Sequence, residues 1–201
     1  MTWNSSHVPS LGASGGITVL WNPKTIKAQH LHQGTNWQMV SIQHYELSFH
    51  LINVYGPTPT SDKLSLWFTL TSSIQQLLDA KFIIAGDFNA FLHPRDKYGG
   101  IIPPPRAIQG FNVFVNNNAL FDVPSQVGSF IWTNRRVGFL QIVVRLDRFL
   151  CSQCWELVNY SIQSDILPYL EFDHFPIQLY ILPSDSPLTS FSRPSFKFES
   201  V

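Results

Sequence analysis

Lys81-Phe82-Ile83-Ile84-Ala85-Gly86-Asp87-Phe88-Asn89 is the stretch that decides how the rest of the chain is read. Phe82 to Ala85 are apolar without alternation, the pattern of a strand covered on both faces. Such a strand needs helices or a second sheet around it, and the flanking sequence supplies both. Before it, Leu64, Trp67, Phe68, Ile74, Leu77 and Leu78 recur at helical spacing between Asp62 and Asp79, with Ser61 placed to cap the start. Earlier still, residues 37–43 and 47–55 read as strands, the second leaving through Gly56-Pro57. Residues 15–21 form another strand, entered through a glycine turn and ended by Asn22-Pro23.

Downstream, residues 93–105 are a loop rich in Pro and Gly. A helix is expected over 106–119, with Ile108, Phe111 and Val115 on one face. Strands follow at 129–133 and 140–150, then a short helix near Trp155 and a last strand from Phe175 to Ile181. The order gives an α/β (α+β type) chain with sheet inside and helices outside. Residues 1–182 form one domain, and the Ser/Pro-rich 183–201 reads as a linker tail.

Composition narrows the classes. The chain has 201 residues, 44% hydrophobic and 13% charged, enough to bury a core and unlike a disordered sequence. No apolar run approaches the roughly 20 residues that span a bilayer, and Met1 to His7 lack the pattern of a secretory signal. Formal net charge is +0, which argues against tight non-specific DNA binding while leaving local patches such as Arg135-Arg136 and Arg145/Arg148. Cys151-x-x-Cys154 lacks two further zinc ligands at matching spacing, and two cysteines make no disulfide framework, so a reducing compartment is the plainer reading.

Several residues could carry chemistry. Asp87 and Asn89, two apart on an extended segment, would point the same way, one to align a water and the other to bind a phosphate oxygen. An Asx turn explains the same residues without function. Asp173-His174 could serve a metal and a phosphoryl oxygen together, or be loop polarity. Asp147, among Leu146, Phe149 and Leu150, needs a partner if it is buried. Arg145 and His174 are equal candidates; a carboxylate on His174 would fix its tautomer and favour its cation. Tyr55 could donate its hydroxyl to a phosphate, or pack with a wet tip. His30-x-His32 has no third metal ligand nearby and reads as a pair of solvated loop histidines.

Taken as one ordered series, Gly15-Gly16-Ile17, Asn53-Val54-Tyr55-Gly56-Pro57, Gly86-Asp87-Phe88-Asn89, Arg145-Leu146-Asp147-Arg148-Phe149 and Asp173-His174-Phe175-Pro176-Ile177 resemble the endonuclease domain of plant non-LTR (LINE-type) retrotransposons. That domain belongs to the deoxyribonuclease-like, AP-endonuclease-like class of the endonuclease/exonuclease/phosphatase superfamily. Phe130 to Arg136 and Phe196-Lys197-Phe198-Glu199 look similar too. The resemblance implies a two-layer β-sandwich flanked by helices, acting on DNA with Mg or Mn at one rim site. It implies that Asp87 handles the attacking water, that Asn89 and Tyr55 contact the phosphate, and that His174, backed by Asp147, stabilises charge on phosphorus. Asp173 would lie at or near the metal.

Departures accompany it. The Asn strand and the Glu strand that open the family's domain have no counterpart before Gly15; Glu46, Glu156, Glu171 and Glu199 lie elsewhere in the series. Phe172 and Ile131 stand where the family has Ser and Thr. The expectation is therefore an incomplete sandwich, truncated at its N-terminus, with metal binding and catalysis weakened and exposed sheet edges open to association. A non-catalytic remnant that binds nucleic acid or a partner is the alternative.

Overall fold

The computed structural model of the chain describes residues 2–10, 16–77, 79–168 and 173–184. Along it run β1 (Asn4–Val8), β2 (Ile17–Trp21), β3 (Lys27–Gly34), β4 (Trp37–His44), β5 (Leu47–Tyr55), α1 (Thr60–Ile74) and β6 (Phe82–Asp87). They are followed by β7 (Lys97–Tyr98), α2 (Pro105–Asn117), β8 (Leu120–Asp122), β9 (Trp132–Thr133), β10 (Val143–Val144), β11 (Asp147–Ser152), β12 (Tyr160–Ile166) and β13 (Ile177–Pro183).

A six-stranded sheet, ordered β3-β4-β5-β6-β11-β8, organises the molecule. Its pairings are antiparallel except β5 with β6, where α1 provides the crossover that two parallel neighbours require. Alternation along β5, β6 and β11 sends Ile52, Val54, Phe82, Ile84 and Leu150 to one face, where they meet Trp67, Leu70, Phe111 and Phe114 of the two helices. The opposite face carries Phe49, Ala85, Phe149 and Cys151, packed against Trp155 and the β12–β13 hairpin through Ile162, Leu179 and Ile181. The β1–β2 hairpin closes the same side, with Val19 on Val40 and Ile42. The result is a two-layer sandwich with helices on one side, and Ile83 and Ile84 in its middle strand are buried as the unalternating run implied.

The strands at 37–43 and 47–55 and the helix at 106–119 match β4, β5 and α2 to within about two residues. Other readings need correction. The Gly-Gly-Ile strand is not the first of the chain: β1 pairs with it along its length. His30 and His32 lie on β3, an edge strand with a bulge between them, and not in a loop. Strands β8 and β12 were missed; β12 in particular gains its character from β13, since its own sequence, Tyr-Ser-Ile-Gln-Ser-Asp-Ile, is half polar. Ser61 does not cap α1, which starts at Thr60 after Pro59, and its hydroxyl donates to Asp62. That helix also ends early, at Ile74, and Leu64 and Phe68 face solvent, Phe68 at 76% exposure. Residues 140–150 are not one strand. Val144 pairs with Trp132 while Asp147 pairs with Asp87, so the chain passes from the small β7-β10-β9 sheet to the central one at Arg145-Leu146. The last strand runs on to Pro183, so the linker reading fails at that residue. Gly15, Leu78, Glu171, Phe172 and the rest of the tail from 185, with Phe196-Lys197-Phe198-Glu199, lie outside the described residues.

Candidate active site

Strand order brings distant residues together at one rim. In the parallel β5–β6 pair Tyr55 is in register with Asp87, and in the antiparallel β6–β11 pair Asp147 is in register with the same Asp87. In-register neighbours share a face, so three residues separated by 32 and 60 positions stand side by side on the sandwich side of the sheet. Tyr55 is 37% exposed there. Asn53, two residues before it, shares its face.

Local sequence explains why β6 ends at this point. Gly86 has φ +133°, and a Cβ there would lie 2.0 Å from the Val54 carbonyl oxygen, so the close approach of β5 and β6 excludes any side chain. The chain then turns. One carboxylate oxygen of Asp87 accepts the Asn89 N–H at 2.8 Å, an Asx turn, and Asn89 adopts the left-handed conformation at φ +47°. Gly56 N–H donates to the Asp87 carbonyl (2.6 Å) and the Asn89 amide donates to the Gly56 carbonyl (2.8 Å), which laces the two strand ends together. The extended geometry expected for Asp87 to Asn89 is therefore wrong: the turn sends Asn89 to the β5 exit, while Asp87 stays in the cleft. The Asx turn and the rim carboxylate are one feature.

His174 arrives from the second layer. Its backbone bridges Trp132, Phe175 N–H donates to the Ile131 carbonyl (2.7 Å), and Thr133 N–H donates to the Asp173 carbonyl (3.1 Å). Its Nδ1 lies 2.8 Å from Asp147 Oδ2. That settles the partner of Asp147 in favour of His174, because Arg145 is engaged elsewhere, with Asp122 at 2.9 Å. The Asp173 carboxylate is exposed and accepts the Trp132 indole N–H at 3.1 Å. It stands beside the cleft and not in its lining.

The cleft holds about 340 Å³ and is lined by Asn53, Tyr55, Asp87, Asp147 and His174, with Gly16 to Thr18 at the start of β2. Its charges are coupled. Burial pushes the Asp87 carboxyl up to about 6, and the neighbouring Asp147 charge adds to this; the Asn89 N–H, His174 and Lys63 oppose it. The hydrogen bond that its Nδ1 donates to the Asp147 carboxylate holds His174 above its ordinary value, against partial burial. The Trp132 indole keeps Asp173 below the usual carboxylate range. With Nδ1 on Asp147, the other ring nitrogen of His174 is left to serve a ligand.

Two features went unread in the sequence. Asn53 and Thr18 line the cleft; the alternation Asn53-x-Tyr55 was the available signal. Arg148, fully buried on the helix side of β11, binds both Asp96 and Asp122 (2.8 Å to the latter), and Asp122 also takes Arg145. Asp96 further accepts the N–H groups of Leu92 and His93, each at 2.7 Å. This network ties the loop after Asn89 and the end of β8 to β11, so it fixes the strand that presents Asp147.

A hard divalent cation wants several oxygen ligands, of which side chains commonly supply only one or two carboxylates for Mg²⁺. Among the described residues no group of three His, Cys, Asp or Glu side chains is gathered so as to hold a metal. Asp87 and Asp147 each commit one oxygen, to Asn89 and to His174. Each therefore has a single carboxylate oxygen left for a cation.

The sequence matches no family model and no curated protein. Solved structures do match the fold. The endonuclease domain of TRAS1, a telomere-specific non-LTR retrotransposon, superposes with TM-score 0.68 at 13% identity, over 90% of this chain and 80% of that one. The AP endonuclease LMAP from Leishmania major gives 0.68 at 16% identity, over 90% and 70%. An endonuclease/exonuclease/phosphatase family protein from Bacteroides thetaiotaomicron gives 0.59 at 13%, over 90% and 75%.

Proposed function

We propose that this chain, which has the endonuclease/exonuclease/phosphatase fold, descends from a metal-dependent DNA endonuclease and keeps its phosphodiester-cleaving cleft with an impaired metal centre. One observation carries the reading: Asp87, the Asp147–His174 pair and Tyr55 line a single cleft, although each comes from a different part of the chain.

The roles follow from the chemistry of these groups. Hydrolysis of a phosphodiester needs a water aligned on phosphorus and positive charge or donors for the oxygens that gain negative charge. Asp87, with its carboxyl raised to about 6, is poised to accept a proton from that water near neutral pH. His174, held by Asp147, is biased to its cation and supplies charge to a phosphoryl oxygen. Tyr55 offers a hydroxyl at the same rim. Asn89 stands at the β5 exit outside the cleft lining, with one amide hydrogen given to Gly56, so a phosphate contact would have to use the second. Asp173, expected near a metal from the family resemblance, is the acidic group beside His174 that a cation could recruit. The donor set described above weakens that half of the chemistry, so metal-dependent nicking is expected to be absent or greatly reduced.

A second reading, a non-catalytic nucleic-acid-binding remnant, has its own support. The segment between β9 and β10 places Arg135 and Arg136 on the surface, and Val137 and Phe139 beside them are exposed. Its stem is the Trp132-Thr133 strand that holds Asp173 and His174.

Nicking of supercoiled plasmid with Mg²⁺ and with Mn²⁺ tests the proposal. It expects little or no nicking, and what occurs should vanish in Asp87→Ala and His174→Ala. Rapid nicking lost in both variants keeps the site and overturns the impairment. Nicking indifferent to both substitutions overturns the site itself. Filter binding of DNA across salt concentrations addresses the second reading, which fails if no salt-dependent association is seen.

A further inference from the structure

A second cleft, of about 620 Å³, opens at the other end of the central sheet. On β5 the side that carries Ile52 and Val54 under the helices carries Ser48 and His50 further back, and Ser41 of β4 stands opposite His50. Because α1 ends at Ile74, this stretch is left without a helix over it, and the turn at 79–81 forms the far wall. The sheet face thus changes from apolar to polar where its cover stops. From His50 to Tyr55 is five residues of strand, about 17 Å at about 3.3 Å per residue, so this cleft is separate from the one that holds Asp87.

Its lining is rich in donors. Lys27 and Lys81 face it, against a single acid, Asp79. Neither lysine is in an ion pair among the described residues, where every pair uses Arg or His. The Nδ1 of His50 is buried without a partner in hydrogen-bonding geometry, although the Lys81 carbonyl lies close enough to the ring to act on its ionisation. A solvated lysine face would explain the first fact; it does not explain the second, since a buried polar atom without a partner costs stability.

We propose that this cleft binds a phosphate-type anion, held between Lys27 and Lys81, with the Ser48 hydroxyl and the His50 ring as further donors. Burial holds the His50 ring below its usual value, with the Lys81 carbonyl acting against this, and the Lys27, Lys81 and Asp79 charges face it from β3 and the turn. An anion seated here would bring the imidazole back towards its cation. The same chemistry fits a small phosphorylated molecule or the backbone of a nucleic acid.

The test is ring-proton NMR of the full chain, with the His50 signals assigned by His50→Gln. Inorganic phosphate is titrated in one arm and a short DNA duplex in the other. Phosphate should move the His50 signals, in the wild type and equally in His174→Ala. The double variant Lys27→Met/Lys81→Met should weaken the response by at least about tenfold, and Asp79→Asn should strengthen it. A duplex acting at lower concentration than phosphate, with steep salt dependence, identifies the nucleic-acid source; a response to phosphate alone identifies the small ligand. The proposal is overturned if His50 does not respond in either arm, or responds as strongly without the two lysines.

Discussion

Asp87→Asn should make the protein more stable while removing the proposed catalytic carboxylate. Asp87 is raised from an ordinary 3.8 to about 6, chiefly by burial and by the charge of Asp147. Two pKa units at about 1.4 kcal/mol each make ionised Asp87 a cost of about 3 kcal/mol to the fold. Solvent entering through the cleft mouth reduces that, so a gain of about 2 kcal/mol is expected for the amide. Asparagine retains the side-chain oxygen that accepts the Asn89 N–H, so the Asx turn survives. The sign of the pH dependence follows. Between about pH 4 and pH 6 the folded chain keeps a proton that the unfolded chain has lost, so wild-type stability falls as pH rises through that window. The variant lacks this fall. Urea unfolding at about pH 8 should show the full gain, and at about pH 3.5 none. An equal effect at both values would mean that packing, and not charge, distinguishes the two side chains. No gain at the higher pH would refute the placement of Asp87 in a partly buried, acidic cleft.

Two further substitutions probe the support of the site. Arg148→Ala leaves Asp96 and Asp122 without their buried guanidinium and should cost about 3–5 kcal/mol by denaturant unfolding; a loss below about 1 kcal/mol would show that the network is not buried as described. Gly86→Ala pushes a methyl carbon to within 2.0 Å of the Val54 carbonyl at φ +133°, so β5 and β6 must part at the rim. A loss of at least about 2 kcal/mol is expected, with slowed hydrogen exchange of the Gly56 N–H disappearing first.

How much of this was legible in the sequence depends on how local each signal was. Phe82 to Ala85 declared itself a doubly covered strand, and residues 37–43 and 47–55 were visible as strands, because each pattern lies within one element. What escaped were elements whose identity is lent by a neighbour. Asn4 to Val8 has little apolar character and is a strand because Ile17 to Trp21 pairs with it; the polar β3 is held by β4 in the same way. The site was legible as residue types and not as geometry. Asp147 had two even partners until the register β6–β11 brought it beside Asp87 and His174, and turned Arg145 to Asp122. Arg148 was unreadable for the converse reason: its buried charge is tolerated only through Asp96 and Asp122, 52 and 26 positions away. Asn89 was misplaced because a period-two argument fails once a residue takes a positive φ.

The central claim is spatial, that Asp87, Asp147 and His174 share one cleft, and the ionisation of His174 reports on it directly. NMR titration of the His174 ring should give a value above that of an ordinary exposed histidine. It should fall most in Asp147→Asn, which removes the hydrogen-bonded charge, and also fall in Asp87→Asn. A His174 that titrates as an ordinary histidine and ignores both substitutions would contradict the account.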